Sequence, residues 1–192
     1  MSFNIMKNDP LVSVIMPAYN AEKYISQSIE SILGQTYKKF EFIIIDDNST
    51  DRTLDIIKDY RKQDSRIVVT RNEENLGVTK SLNKGIKLAK GKYIIRMDAD
   101  DWAYPQRFTQ QVNLMEHHPD VVVSGSYIEV CDRNLNKKYI RKYHLDDTTI
   151  RKHLFRYSPL PGLRPPRSRR RRSGRTGIRR DRPPRHREQG EA

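Results

Sequence analysis

Apolar residues recur along the chain in two alternating periods, which predict strands separated by helices. Short apolar runs, mostly of β-branched residues, are typical of buried strands and occupy residues 12–16, 40–45, 67–69, 93–97 and 121–123. Between these runs, apolar residues return every three or four positions, as in Ile25, Ile29 and Ile32, which is the spacing of an amphipathic helix. Strands that alternate with helices favour an α/β fold, a mostly parallel sheet flanked by helices.

Capping residues indicate where some of the helices begin and end. Gly34 is expected to cap the first helix at its C-terminus, and Thr50 is expected to cap the second at its N-terminus. The later predicted elements are a fourth helix, a β-hairpin and a short helix, at residues 105–117, at 127–130 with 138–143, and at 149–155.

Polar clusters follow three of the predicted strands, at residues 17–20, 46–51 and 98–101. Ligands of open parallel sheets bind outside the carboxyl ends of the strands. We therefore expect the three clusters to lie at one edge of the sheet and to form a site there.

The cluster after the fourth strand contains three carboxylates, Asp98, Asp100 and Asp101. Side chains at positions i and i+2 of an extended segment point the same way, so Asp98 and Asp100 can converge on one cation. Their hard oxygen ligands suit Mg²⁺ or Mn²⁺ bound to a substrate phosphate. The alternative is a set of solvated loop acids that cap the next helix, and these residues alone leave both interpretations open.

Composition divides the chain near Ser158. Residues 158–192 contain 12 arginines and three acids, a charge of +9, so residues 1–157 carry +4 of the net +13. With only four apolar residues, this Arg/Pro-rich tail is predicted to be disordered. Residues 1–157 are long enough to bury a core.

Several classes of protein are disfavoured by composition. Cys131 is the single cysteine, which excludes an intrachain disulfide and a zinc site of two or four cysteines. The N-terminus lacks the apolar stretch of a signal peptide, and no apolar run approaches the roughly 20 residues that span a bilayer. The expected location is cytoplasmic.

The strand-end clusters, taken in order, resemble those of the family-two inverting glycosyltransferases over residues 10–157. The segments that carry the resemblance are residues 12–20, 35–37, 45–51, 75–77, 83–85 and 98–101. The resemblance implies a GT-A nucleotide-sugar-binding fold, with a Rossmann-like, mostly parallel sheet that is incomplete on its C-terminal side.

The resemblance assigns Pro17, Ala18 and Tyr19 to the nucleotide pocket, with the Tyr19 ring against a uracil face. The alternative for Tyr19 is an aromatic anchor of the first helix. Asp47 corresponds to the family acid that accepts a hydrogen bond from the base, which suits an N–H donor such as uracil N3. Glu22 is expected either to shape the pocket or to stabilise a helix dipole.

The same resemblance places Asp98, Ala99 and Asp100 at the ribose and the diphosphate. Asp98 is expected to contact ribose or metal-bound water, and Asp100 to hold the Mn²⁺ or Mg²⁺ that bridges the diphosphate, so both are predicted metal residues. Asp46 and Asp51 are expected to have local turn and capping roles.

Two further positions follow the third strand. Gly77 is expected to allow close approach of the backbone, and Asn83 to form a hydrogen bond near the pocket floor. Some relatives carry arginine just before that asparagine, where this chain has Leu82, so the exact donor stays open.

The function implied by the resemblance is metal-dependent transfer of a sugar from a nucleotide-diphospho-sugar, with inversion. The correspondence of Asp47 favours a UDP-sugar, and a glycan or lipid-linked molecule is the implied acceptor. Relatives often act in surface polysaccharide assembly, which implies peripheral association with the inner face of the cell membrane. Inversion requires a general base for the acceptor hydroxyl, and no catalytic residue is identified.

The resemblance ends where the Arg/Pro-rich tail begins. We hypothesise that the reading frame changed there or that the chain was truncated and extended. The donor half is then expected to bind a nucleotide diphosphate weakly and to transfer sugar poorly or not at all.

Two rival functions follow from other features. The Arg-rich run at residues 164–187 can bind nucleic acid or another anionic surface, although it has no aromatic residue for base stacking and no specific nucleic-acid partner is expected. A sugar nucleotidyltransferase is disfavoured because residues 17–22 contain no glycine to cradle a triphosphate.

Overall fold

The computed structural model describes residues 9–132, 136–143 and 148. The chain divides into two compact units, Met1–Ser126 and Tyr127–Ala192. The elements in chain order are β1 (Val12–Ala18), α1 (Ile25–Leu33), β2 (Phe40–Asp46), α2 (Thr53–Gln63), β3 (Ile67–Arg71), α3 (Val78–Leu88), β4 (Tyr93–Arg96), α4 (Arg107–His117), β5 (Ile128–Cys131) and β6 (Lys137–Arg141).

The first unit contains a four-stranded parallel sheet with the strand order β3-β2-β1-β4. β1 lies between β2, with which it pairs along its whole length, and β4, with which it pairs from Val12 to Ile15. Because all four strands run in one direction, their carboxyl ends share one edge of the sheet. The predicted parallel α/β arrangement is confirmed.

An apolar layer lies on each face of the sheet, since alternate residues of a strand point to opposite sides. On one face, α1, α2 and α4 cover strand residues that include Val14, Met16, Phe42 and Ile44. On the other face, residues 82 and 89, in and just after α3, pack against Ile15, Ile43 and Ile45. This second face is covered only over its central strands, since Ile94 of β4 and Val68 of β3, which share that face, are 49% and 39% exposed.

Gly85 lets α3 lie very close to the sheet. A Cβ atom at this position would stand 2.4 Å from Cγ2 of Ile15 and 2.9 Å from Cδ1 of Ile45, which is closer than packed atoms approach. The glycine therefore fixes the distance between α3 and β1, and with it the position of the loop that precedes α3.

Three predicted boundaries are wrong. Residues 121–123 form no strand, and Val122 and Val123 are 82% and 72% exposed, because a β-branched run without a partner strand has no ladder to join. β1 continues through Pro17, which lies beyond the last β1–β4 pair. α2 begins at Thr53 with Arg52 as its N-cap, not at Thr50.

Gly34 does cap α1, in a right-handed conformation with φ of −77°. The predicted hairpin is confirmed in the second unit, where β5 and β6 pair antiparallel with an irregularity at Val130 and Cys131. The short helix predicted at 149–155 and the tail at 158–192 lie outside the described residues. None of the helices in the described ranges has the length and apolar character to cross a membrane.

Candidate functional site

The loops that follow β1 and β2 are held together by their own polar groups. Asn20 donates its N–H to Ser49 Oγ at 3.1 Å, and its Oδ1 accepts the N–H of Thr50 at 2.9 Å. Asn20 and Asn48 have φ angles of 48° and 61°, a left-handed conformation that asparagine tolerates better than most residues. The two loops therefore form one rigid stretch at the carboxyl edge of the sheet.

Asp47 is the centre of this edge. It is 3% exposed, and its Oδ1 accepts hydrogen bonds from Asn72 Nδ2 at 2.7 Å and from the Leu76 N–H at 2.9 Å. Its Oδ2 accepts the Gly77 N–H at 2.8 Å. A single carboxylate at the end of β2 thus positions the whole loop between β3 and α3.

Residues that the sequence analysis missed support Asp47. Asn72 also donates from Nδ2 to Ser81 Oγ at 2.9 Å, and its Oδ1 accepts a hydrogen bond from Lys84 Nζ at 2.9 Å. Lys84 therefore fixes which way the Asn72 amide faces. Asn83, which was predicted to line the pocket floor, is instead exposed on α3.

These contacts set the charge state of Asp47. Burial by itself raises the pKa of the Asp47 carboxyl, but the hydrogen bonds from Asn72, Leu76 and Gly77, with that of Ser81, lower the pKa below its ordinary value of 3.8. Asp47 is therefore an acceptor-only carboxylate at neutral pH.

Gly77 owes its place to its backbone conformation. Its φ of 80° and ψ of 162° lie in a region that residues with a Cβ rarely adopt, while a Cβ there would meet no other atom of the described chain within 4 Å. The sequence analysis expected Gly77 to let the backbone come close to another group, but no other described part of the chain comes that close to it.

We predict that Gly77→Ala lowers the free energy of unfolding by about 1–3 kcal/mol, because alanine must adopt this strained conformation. Urea denaturation measures the effect. Gly125→Ala is the matched control, since a Cβ there also meets nothing within 4 Å and no positive φ is involved. Equal midpoints for the two variants would contradict the prediction.

Arg71, at the end of β3, contacts the loop that follows β2. Its Nε lies 3.2 Å from Oδ2 of the buried Asp46, and its Nη2 donates to Asn48 Oδ1 at 3.0 Å. An open depression of about 390 Å³ lies beside it, lined by residues 48 and 71–73. The acids at residues 98–101 are not among its lining residues.

Leu82 occupies the place where some relatives carry arginine, and it packs against the apolar layer of Ile15, Ile43 and Ile45. It therefore gives the site no charge, and the cations that the structure places at this end are Arg71 and Lys84, whose Nζ donates to the carbonyl oxygen of Arg71 at 2.9 Å.

The residues predicted at the end of β1 differ in accessibility. Pro17 and Ala18 are buried, whereas Tyr19 is 50% exposed, so of these three only Tyr19 presents its side chain at the surface. Glu22 Oε2 accepts the Arg52 N–H at 3.1 Å, and Asp51 accepts the Glu22 N–H at the same distance. Glu22 thus supports the start of α2, not that of α1.

The predicted local roles of two acids are confirmed. Asp51 Oδ1 accepts the N–H of Thr53 at 2.9 Å and so caps the first turn of α2. Asp46 accepts the N–H of Ser49 within the turn after β2, at 3.4 Å.

The loop after β4, which carries the three acids, is fastened to α1. Ser28 Oγ lies 2.8 Å from the carbonyl oxygen of Ala99 and 2.6 Å from that of Asp101. Gln35, fully buried, donates to the carbonyl of Tyr104 at 2.9 Å and accepts the N–H of Phe108 at 3.1 Å. Residues in and just after α1 thereby hold the loop that carries the acids in place.

The extended backbone that the sequence analysis expected between Asp98 and Asp100 is wrong. Residues 99 and 100 lie in a turn, which the Asp101 N–H closes by donating to the Asp98 carbonyl oxygen at 3.2 Å. Ala99 is buried, whereas Asp98 is partly exposed and Asp100 is exposed. Asp98 is paired with Arg96, whose Nε and Nη2 lie 3.0 and 3.1 Å from Oδ1 and Oδ2. Burial raises the pKa of the Asp101 carboxyl above 3.8, and the charges of Asp98 and Asp100 raise that pKa further.

Residues 13–180 match the sequence profile of Glycosyl transferase family 2. The chain belongs to this family. The matched range continues past residue 157, where the resemblance read from the sequence ends. Among curated family members, an uncharacterized glycosyltransferase of Haemophilus influenzae is 48% identical over 125 residues, which are 65% of this chain and 39% of that protein.

Solved glycosyltransferase structures share the fold. S. aureus TarS 1–349 in complex with UDP-GlcNAc superposes with a TM-score of 0.54 at 30% identity, covering 65% of this chain and 41% of TarS. The mannosyltransferase PcManGT of Pyrobaculum calidifontis, in complex with GDP-Man and Mn²⁺, gives 0.53 at 27% identity, covering 61% and 34%. The predicted GT-A fold is confirmed. The chain spans about half or less of the length of its first curated relatives.

The family implies a divalent cation, and the acids after β4 fit one in part. Among the described residues, no three His, Cys, Asp or Glu side chains are grouped so that they could hold an ion by themselves. Oxygen donors from Asp98 and Asp100 suit a hard cation whose other ligands come from a diphosphate and water, which is how Mg²⁺ is commonly held.

Proposed function

We propose that this chain binds a nucleotide-diphospho-sugar, a UDP-sugar, at the carboxyl edge of its sheet and forms the donor-binding part of a sugar transferase that inverts the anomeric centre. The observation that carries the proposal is the topology of the edge. β2 and β4 flank β1 in parallel. The loop that begins at Asp47 after β2 and the loop after β4 that carries Asp98, Asp100 and Asp101 (the acid loop) therefore lie on either side of the β1 loop, at the same edge of the sheet. The GT-A likeness to a UDP-GlcNAc complex supports it.

The base end of the donor is assigned to Asp47 and Tyr19. Asp47 is an acceptor-only carboxylate at the carboxyl end of β2, held in one orientation by hydrogen bonds from Asn72, Leu76 and Gly77, and such an acceptor suits an N–H donor of a base. The N3–H of uracil is such a donor. The exposed Tyr19 ring supplies a face on which the base packs.

The diphosphate end is assigned to the acid loop. Asp100, which is exposed, and Asp98 would hold Mn²⁺ or Mg²⁺, which would supply neutralisation of the charge on the departing diphosphate. Asp98 would exchange its contact with Arg96 for this role. Rigid anchoring of the loop on α1 fixes the geometry in which the sugar is presented.

Transfer also needs an acceptor, a glycan or lipid-linked molecule, and a general base that removes a proton from its hydroxyl group. We assign the base to no residue of the described ranges. Donor binding is therefore the activity that we propose for this chain, with weak or no transfer by the chain alone.

Titration calorimetry of the full chain with UDP, with and without Mn²⁺, tests the proposal. We expect Mn²⁺-dependent binding that Asp100→Asn weakens by about tenfold or more, a loss comparable to that at other metal sites when a supporting group is removed. Asp120→Asn, at an exposed position after α4, makes the same change of charge and should bind as the wild type does. UDP binding that ignores both Mn²⁺ and Asp100→Asn would overturn the metal assignment.

A further inference from the structure

Two aromatic side chains on the acid loop are exposed although the loop is firmly held. Trp102 and Tyr104 are 48% and 52% exposed, while Ala103 between them is 3% exposed. The two rings contact each other edge to face, with centroids 4.8 Å apart and an angle of 79° between the planes. The buried alanine thus presents two neighbouring rings at the surface.

The backbone beneath the rings is held at Asp101, Ala103 and Tyr104. Ser28 Oγ lies 2.6 Å from the carbonyl oxygen of Asp101, Ser31 Oγ accepts the Ala103 N–H at 3.1 Å, and Gln35 donates to the Tyr104 carbonyl at 2.9 Å. All three donors or acceptors lie in or directly after α1. A pair of rings on such a support loses little conformational entropy when a ligand binds.

Tryptophan and tyrosine side chains that remain at the surface in contact with each other mark binding sites more often than other residues do, because each ring offers a large rigid area with a polar edge. The rings follow Asp100 and Asp101 directly, so a ligand on them lies next to the acid loop.

The neighbouring charges select the kind of ligand. Carboxylates accept hydrogen bonds from hydroxyl groups, and the negative face of an aromatic ring attracts the weakly positive C–H face of a pyranose. The carboxylates of Asp98 and Asp101 are accompanied by the guanidinium groups of Arg96 and Arg107, so this loop does not present the uniformly positive surface that nucleic acid or anionic lipid headgroups require. A neutral hexopyranose suits both the carboxylates, through its hydroxyl groups, and the aromatic rings, through its C–H face.

We propose that Trp102 and Tyr104 form a stacking platform for a neutral hexopyranose ring of the acceptor, with Asp101 accepting hydrogen bonds from its hydroxyl groups. The assignment to the acceptor rests on the proposed donor site. A pyranose ring of the donor has the same chemistry, and the experiment separates the two sources.

Trp102 is the single tryptophan of the chain, so intrinsic fluorescence reports on the platform alone. The full chain is titrated with methyl glycosides of glucose, galactose, mannose and N-acetylglucosamine. We expect a saturable change in emission with at least one glycoside, and an affinity about tenfold lower in Tyr104→Ala. Tyr104→Phe, which keeps the ring, should retain most of the affinity.

Calorimetry supplies the controls. Trp102→Ala and Tyr104→Ala should leave the affinity for UDP with Mn²⁺ unchanged, and Tyr127→Ala, a half-exposed tyrosine of the second unit, should leave glycoside binding unchanged. Thermal melts confirm that the variants fold. Normal UDP binding without any glycoside response would overturn the platform alone, whereas glycoside binding without UDP binding would overturn the donor site alone.

Two other outcomes would also overturn the proposal. If Tyr104→Ala weakens UDP-GlcNAc binding but not UDP binding, the ring on the platform belongs to the donor. If Trp102 emission shifts with phosphatidylglycerol vesicles and not with glycosides, the rings contact a membrane.

Discussion

Asp47→Asn is expected to lower the free energy of unfolding by about 2–4 kcal/mol and to remove detectable UDP binding. The carboxylate accepts hydrogen bonds from Asn72, Leu76 and Gly77 at 2.7–2.9 Å in a nearly fully buried position. An asparagine has one acceptor oxygen, and its NH₂ group would face a backbone N–H, which leaves a buried donor without a partner. Urea denaturation and calorimetry with UDP and Mn²⁺ measure the two effects.

Glu73→Gln is the matched control, because it makes the same acid-to-amide change in the same loop at an exposed position. Its free energy of unfolding should stay within about 0.5 kcal/mol of the wild type. If Asp47→Asn is no less stable than Glu73→Gln, the carboxylate does not hold the loop.

The pH dependence gives a second measure of Asp47. Its pKa is lowered in the folded state, so its contribution to stability is fully present above the ordinary value of 3.8 and is lost as the pH falls through the lower folded pKa. The stability difference between wild type and Asp47→Asn should therefore be constant near neutral pH and shrink below pH 3.8. A difference that grows on acidification would contradict this.

The sequence predicts the alternation of strands and helices well because those signals are local. Apolar runs such as residues 40–45 and helical spacing such as Ile25, Ile29 and Ile32 carry their own period, and the parallel sheet follows from their order. The run at residues 121–123 has the same local signal but no partner strand, so the prediction fails there.

The supports of the candidate site are harder to predict because they join distant residues. Asn72 reaches Asp47 across 25 positions, and Ser28 reaches Asp101 across 73, with no periodic pattern to connect them. The pair of Arg96 and Asp98 could have been found, since residues two apart near a strand end lie on one side.

A prediction about Gln35 joins the fold to the site. Gln35→Leu is expected to lower the free energy of unfolding by about 2–4 kcal/mol and to weaken Mn²⁺-dependent UDP binding, because leucine keeps the volume but removes both polar groups. The Gln35 amide satisfies the carbonyl of Tyr104 and the N–H of Phe108 in the first turn of α4. Without it, a partly buried carbonyl and an uncapped helix N–H remain, and the acid loop loses one of its anchors on α1.

Gln27→Leu makes the same substitution on an exposed position of α1 and should change the free energy of unfolding by no more than about 0.5 kcal/mol. Urea denaturation compares the two variants, and calorimetry with UDP, with and without Mn²⁺, shows whether the acid loop is affected. A loss of stability in Gln35→Leu with unchanged Mn²⁺ dependence would mean that Ser28 and Ser31 hold the loop without Gln35. Unchanged stability would show that the Gln35 amide is not an anchor, because the loss of its hydrogen bonds to the Tyr104 carbonyl and the Phe108 N–H would then not destabilise the folded chain.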